Sequence, residues 1–126
     1  MSFKTPLGRV RGLGSAKSGV THFWRQRLTA IANVPLVIAF VAVLIGNLGK
    51  PHAEIAASVS SLPVAILFVL FIANGAYHMH LGMQVIIEDY VHGEGARIAA
   101  IVGNVFFAVL IAAAGIFAIL KLSFGG

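Results

Sequence analysis

The sequence predicts an all-α membrane protein with three transmembrane helices and a cytoplasmic N-terminus. Composition is the first reason: 59% of the 126 residues are hydrophobic and 10% are charged, against about 25% charged in an ordinary soluble domain. Mean hydropathy is +0.95. The second reason is segment length. Residues 28–48 carry no ionisable side chain, residues 62–87 carry no Asp, Glu, Lys or Arg, and residues 98–120 are again free of charge. A hydrocarbon core of about 30 Å takes roughly 20 helical residues at about 1.5 Å each, so every block is long enough to cross it. The third reason is where the cations lie. Lys4, Arg9, Arg11, Lys17, Arg25 and Arg27 precede the first block with no Asp or Glu among them, and such an excess marks the cytoplasmic side.

Taken in order, residues 1–27 form a basic cytoplasmic arm and residues 28–126 a single transmembrane domain with spans near 28–48, 62–87 and 98–122. The net charge of +5 abuts a span, so it reads as an orientation signal that meets anionic head groups rather than as a nucleic-acid footprint. The first apolar stretch is too long for the h-region of a signal peptide, and the basic region ahead of it is too long as well. It is read as a retained helix. Pro35 lies inside the first span, where freed backbone groups can be re-satisfied by neighbours. Pro63 falls in the first turn of the second, where its missing N–H costs little, and Ser60 or Ser61 is placed to cap it. Gly75, Gly82, Gly103, Ala108, Ala112 and Gly115 offer small surfaces for close helix approach. The loop of Asp89 to Arg97 falls on the cytoplasmic side, with Pro51-His52 and the tail after Lys121 outside. His52 and His92 read as solvated loop residues. There is no cysteine, which excludes disulfides and thiolate-held zinc or iron–sulfur clusters within this chain.

Chemistry concentrates in the second span, because ionisable residues inside a membrane helix usually mark a metal, a proton path or a substrate. At about 100° per residue, His78 and His80 point about 200° apart and cannot address one site from a straight helix. Gly82, one turn after His78 on the same face, leaves room beside that imidazole for a flat, bulky ligand and favours His78 as the inward histidine. Asp89 returns to within about 20° of the same face, about 16 Å nearer the cytoplasmic surface. Two readings of His78 stand side by side, a histidine hydrogen-bonded to a neighbouring helix and a metal ligand. Asp89 near a helix C-terminus opposes the macrodipole and wants a cationic partner, either Arg97 or a group on a neighbouring subunit. Tyr90 at the interface serves as an anchor or as a binding group.

Two segments resemble a known family. Gly19-Val20-Thr21-His22-Phe23-Trp24-Arg25-Gln26-Arg27-Leu28-Thr29-Ala30-Ile31 is similar to the pre-helix segment of the small membrane-anchor subunits of succinate dehydrogenase, respiratory complex II, in which Arg-x-Thr-Ala opens the first helix. His78, Gly82-Met83, Val85-Ile86 and Asp89-Tyr90-Val91 look like the family stretch that joins a haem-ligating histidine to the quinone-site Asp-Tyr. The resemblance implies half of a heterodimeric anchor bundle in a bacterial inner membrane, with a second membrane-anchor subunit, an iron–sulfur subunit and a flavoprotein subunit as partners. It implies haem b shared between the anchors, ubiquinone as substrate, and FAD and iron–sulfur clusters held only by partner subunits. The activity implied is succinate dehydrogenase (quinone), EC 1.3.5.1, with no complete catalytic site in this chain. His78 would supply one axial haem ligand, Gly82 clearance, and Arg27 a partner for a propionate or for the quinone environment. Tyr90 and Asp89 would bind quinone and relay protons. The family's histidine in the first segment falls at the position of Thr21, so His22, a further candidate for the cofactor environment, departs from the pattern by one residue. Two other classes remain beside this one: a small proton- or ion-coupled transport subunit, with His78 titrating, and a cofactor-free membrane scaffold.

Overall fold

A computed structural model describes Pro6 and residues 17–125. Lys4, Arg9 and Arg11 of the basic arm lie outside the described residues. The described chain is helical throughout: α1 Lys17–Gly46, α2 His52–Ser60, α3 Leu62–Tyr90 and α4 Glu94–Ser123. Helices α1, α3 and α4 are each long and apolar enough to cross a membrane. At 1.5 Å per residue, each reaches about 45 Å, enough for the hydrocarbon core and part of both head-group layers.

Helix α1 begins at Lys17, ahead of the expected span, so Arg25 and Arg27 sit on a helix. It continues through Pro35 and ends at a turn of Asn47, Leu48 and Gly49. There the Asn47 side chain donates from Nδ2 to the Val43 carbonyl at 2.8 Å and to Ser58 Oγ at 3.2 Å. Gly49 then takes a positive φ of 76°, a conformation that costs a residue with a Cβ. The segment read as a loop holds the short helix α2 instead. His52 is its first residue and is exposed. Ser61 is extended and breaks α2 from α3; its hydroxyl donates to the Ser58 carbonyl at 2.7 Å rather than capping the new helix. Pro63 sits in the first turn of α3, as its missing N–H requires. Val91, extended, ends α3 with its N–H on the Ile87 carbonyl. The link to α4 is so short that α3 and α4 must run antiparallel. Glu94 in the first turn of α4 and Lys121 in the last both complement the helix macrodipole.

The helices form an open layer. α3 packs against α1 on one side and α4 on the other, and among the described residues α1 and α4 make no contact of their own. The α1–α3 seam holds Phe40, stacked on Phe71 at 4.6 Å and tilted against Phe68 at 5.2 Å between ring centroids. The α3–α4 seam is closer. A Cβ added at Gly115 would stand 3.0 Å from Ile72 Cγ2, and Ala76 and Ala108 are buried. Gly75, Gly82 and Gly103 do not make the close approaches expected of them within this chain, because a Cβ at each would meet nothing within 4 Å. Their bare faces look outward from the layer. No described side chain falls below 2% exposure, and Trp24, Phe106 and Phe117 stand 58%, 70% and 67% exposed. The layer therefore has two wide apolar faces and no sealed core.

Candidate functional site

Polar side chains within apolar helices must find partners, since an unpaired polar group in hydrocarbon costs several kcal/mol, roughly. Here they pair across the two seams. Between α1 and α3, His78 Nδ1 lies 2.9 Å from Thr29 Oγ1. One turn earlier on α3, Asn74 Nδ2 donates to the Thr29 carbonyl at 2.9 Å and to Asn33 Oδ1 at 2.7 Å. Thr29 and Asn33 are one turn apart on α1, Asn74 and His78 one turn apart on α3, and the four interlock. Between α3 and α4, Asn104 Nδ2 donates to the His80 carbonyl at 2.9 Å and lies 3.1 Å from His80 Nδ1. The two histidines thus leave α3 on different sides, one towards α1 and one towards α4, as their spacing predicts.

His78 borders a cleft of about 280 Å³ with Phe23, Gln26, Arg27 and Ala30. With Nδ1 engaged by Thr29, Nε2 is the ring nitrogen left free among the described residues. Arg27, on the same cleft, sits with its guanidinium carbon 5.1 Å from the centre of the Phe23 ring, a cation–π contact that holds the charge at the cleft's edge. One turn along α3 from His78, the missing Cβ of Gly82 faces open space. An imidazole and a guanidinium therefore border one opening.

His22 is elsewhere. It lines a larger, polar cleft of about 660 Å³ with Arg25, Tyr77, His80, Gln84 and Glu88, and its Nε2 is buried without a hydrogen-bond partner among the described residues. Gln84 Nε2 donates to Glu88 Oε1 at 3.0 Å. This cleft does not contain His78 or Arg27, so the structure separates His22 from the residues with which it was grouped. No three His, Asp or Glu side chains gather to hold a metal ion among the described residues.

Asp89 and Tyr90 close α3 and are both exposed, Tyr90 at 76%. Arg97, one of the two partners considered for Asp89, donates from Nε to the Val91 carbonyl at 3.1 Å and so fastens the α3–α4 turn. The Asp-Tyr pair faces outward, unshielded by its own chain. Thr29, Asn33, Asn74 and Asn104 are the polar residues that sequence reasoning passed over. Of these, only Thr29 and Asn33 carry a mutual signal in the sequence, standing one turn apart within an apolar run.

An open three-helix layer with polar pairs in its seams, a histidine cleft and an exposed Asp-Tyr end defines a membrane subunit built to be completed by others. The sequence comparisons agree. The model of the succinate dehydrogenase/fumarate reductase transmembrane subunit family matches residues 1–112. The chain is similar to the succinate dehydrogenase hydrophobic membrane anchor subunit of Paracoccus denitrificans, 31% identical over 125 residues that cover 99% of this chain and 96% of the relative. It is similar also to that of Rickettsia bellii, 32% identical over 120 residues covering 93% and 94%. The succinate dehydrogenase membrane anchor subunit of Reclinomonas americana is 38% identical over 92 residues, 68% of this chain and 73% of the relative. No solved structure matches. The chain belongs to the succinate dehydrogenase/fumarate reductase transmembrane subunit family and is of the succinate dehydrogenase membrane-anchor kind. Membership implies the other subunits of that complex around it.

Proposed function

We propose that this anchor subunit shares haem b with a second anchor subunit and helps build the ubiquinone-reduction site of succinate:ubiquinone oxidoreductase (EC 1.3.5.1) in a bacterial inner membrane, N-terminus inside. The observation that carries the haem part is the convergence of His78 and Arg27 on one cleft. An imidazole with one nitrogen free would ligate the haem iron, and the guanidinium beside it would pair with a propionate carboxylate. Gly82 keeps the neighbouring turn clear. The haem, when bound, supplies a one-electron store beside the quinone site.

The quinone part rests on Asp89 and Tyr90, exposed together at the end of α3. Tyr90 would donate a hydrogen bond from its phenol to a quinone carbonyl oxygen while its ring packs on the substrate. Asp89, at the water boundary, passes protons towards the reduced oxygens. Succinate oxidation and the flavin and iron–sulfur chemistry belong to partner subunits.

The test is the visible spectrum of the complex purified with its partners. A Soret band that is lost with His78→Ala supports the reading; a complex without one removes it. Quinone-dependent activity that survives loss of Tyr90 would move the role of this chain towards a scaffold.

A further inference from the structure

The Arg27-Leu28-Thr29-Ala30 segment contains a residue whose hydroxyl does more than join the α1–α3 seam. Thr29 is 9% exposed and buried at the α1–α3 seam. Its hydroxyl oxygen lies 2.8 Å from the Arg25 carbonyl, 3.0 Å from the Gln26 carbonyl and 2.9 Å from His78 Nδ1. A hydroxyl has one proton. Spent on His78, that proton would leave the hydroxyl oxygen facing two carbonyl oxygens at contact distance with nothing between them. Spent on either carbonyl, it leaves a lone pair aimed at the imidazole, and Nδ1 must then carry the proton and donate.

We infer that Thr29 is a positioning residue that fixes His78 in the Nδ1–H tautomer, holding the lone pair of Nε2 ready for a metal. The inference rests on the haem reading of His78. The other histidine supplies an internal contrast. Asn104 Nδ2 is committed as a donor by the His80 carbonyl at 2.9 Å, and the same amide nitrogen lies 3.1 Å from His80 Nδ1. His80 Nδ1 therefore accepts, so neutral His80 carries its proton on Nε2 and has no lone pair to offer there. The two partners set opposite tautomers two residues apart, and only His78 is left as a ligand.

Thr29 is held in turn. Asn74 grips its carbonyl and Asn33, so the hydroxyl is aimed by the backbone of α1 and by a side chain of α3, the helix that carries His78. A hydrogen bond from the far nitrogen of a metal-bound imidazole to a fixed acceptor raises the ligand's basicity and favours the oxidised metal. Loss of such a bond typically weakens metal retention about 10–100-fold.

The experiment uses the whole complex purified with its partners and carrying Thr29→Val, Thr29→Ser or His78→Ala. Valine keeps the shape and deletes the hydroxyl; serine keeps the hydroxyl. The expected result is a haem with wild-type midpoint potential and low-spin electron paramagnetic resonance in Thr29→Ser. In Thr29→Val the potential should rise, the g-values shift and the haem be lost more readily. A Thr29→Val complex with wild-type potential and g-values, beside a His78→Ala complex without the haem signature, overturns the role of Thr29 and leaves the ligand standing. Equal shifts in Thr29→Val and Thr29→Ser also overturn it, since they report packing. If Thr29→Val does not assemble, pulsed resonance on the wild-type and Thr29→Ser complexes, with this chain's histidines labelled, decides. A protonated, hydrogen-bonded remote nitrogen supports the inference and an unprotonated one overturns it. A His78→Ala complex with an unchanged haem signature instead removes the haem reading, and the inference with it.

Discussion

At the scale of single residues, the direction in which each side chain leaves α3 decides what it can do. His78 meets Thr29 on α1 and His80 meets Asn104 on α4, so His78→Ala is expected to abolish the haem signature while His80→Ala largely spares it. Equal losses would break the assignment. For Tyr90, the Phe variant keeps the ring and removes the donor, a change worth about 1–3 kcal/mol that would slow quinone reduction about 5- to 150-fold if the bond is fully made in the transition state. Electron transfer from succinate to an artificial acceptor at the soluble subunits should be nearly unchanged. Unchanged quinone activity would end the hydrogen-bond role, and matched losses in both assays would mean failed assembly. His78 and Asp89 stood out in the sequence because imidazole and carboxylate are rare in such helices, and Tyr90 because it adjoins the carboxylate. Thr29, Asn33, Asn74 and Asn104 did not, because neutral polar side chains are tolerated along any span and only the facing helix shows which of them have found a partner. His22 lies five residues before Arg27 in sequence, yet it faces the cleft of His80 rather than that of His78.

At the scale of elements, length and charge gave the three spans, because the bilayer sets the number of apolar residues needed to cross it. The ends were less visible. The first helix extends back to Lys17 since nothing in the basic segment breaks it, and nine residues of the expected outer loop form α2, whose Ala-rich sequence has the propensity for helix without the length for a span. Small residues were visible as a class, but which of them touch a neighbour depends on rotation about the helix axis. Gly115 does, against Ile72. Gly115→Leu is therefore expected to push α4 off α3 and destabilise the subunit by about 1–3 kcal/mol. Ile72→Ala should recover part of that loss by vacating the space. The measurement is the thermal stability of the complex in the two single variants and the double variant. Strictly additive effects would show that the two positions do not share one contact.

At the scale of the whole molecule, the consequence of an open layer is dependence on neighbours. α1 and α4 do not meet among the described residues, so each leaves one long side to lipid or protein. Lipid can cover apolar surface without loss, because its tails are as apolar as leucine. It cannot satisfy the free imidazole nitrogen of His78, the unpartnered Nε2 of His22 or the large polar cleft between α1 and α3, and these need protein, cofactor or water. The bare steps at Gly75, Gly82 and Gly103 point the same way, since a surface meant only for lipid has no use for close backbone approach. The chain expressed alone in detergent is accordingly expected to aggregate or to lose helix content, and co-expression with the second anchor subunit to yield a monodisperse species. Size-exclusion chromatography and circular dichroism of the two preparations check this. A stable, monodisperse chain alone, with native-like helix content and no partner, would show that detergent and water suffice for its polar seams and that the open layer is a finished fold.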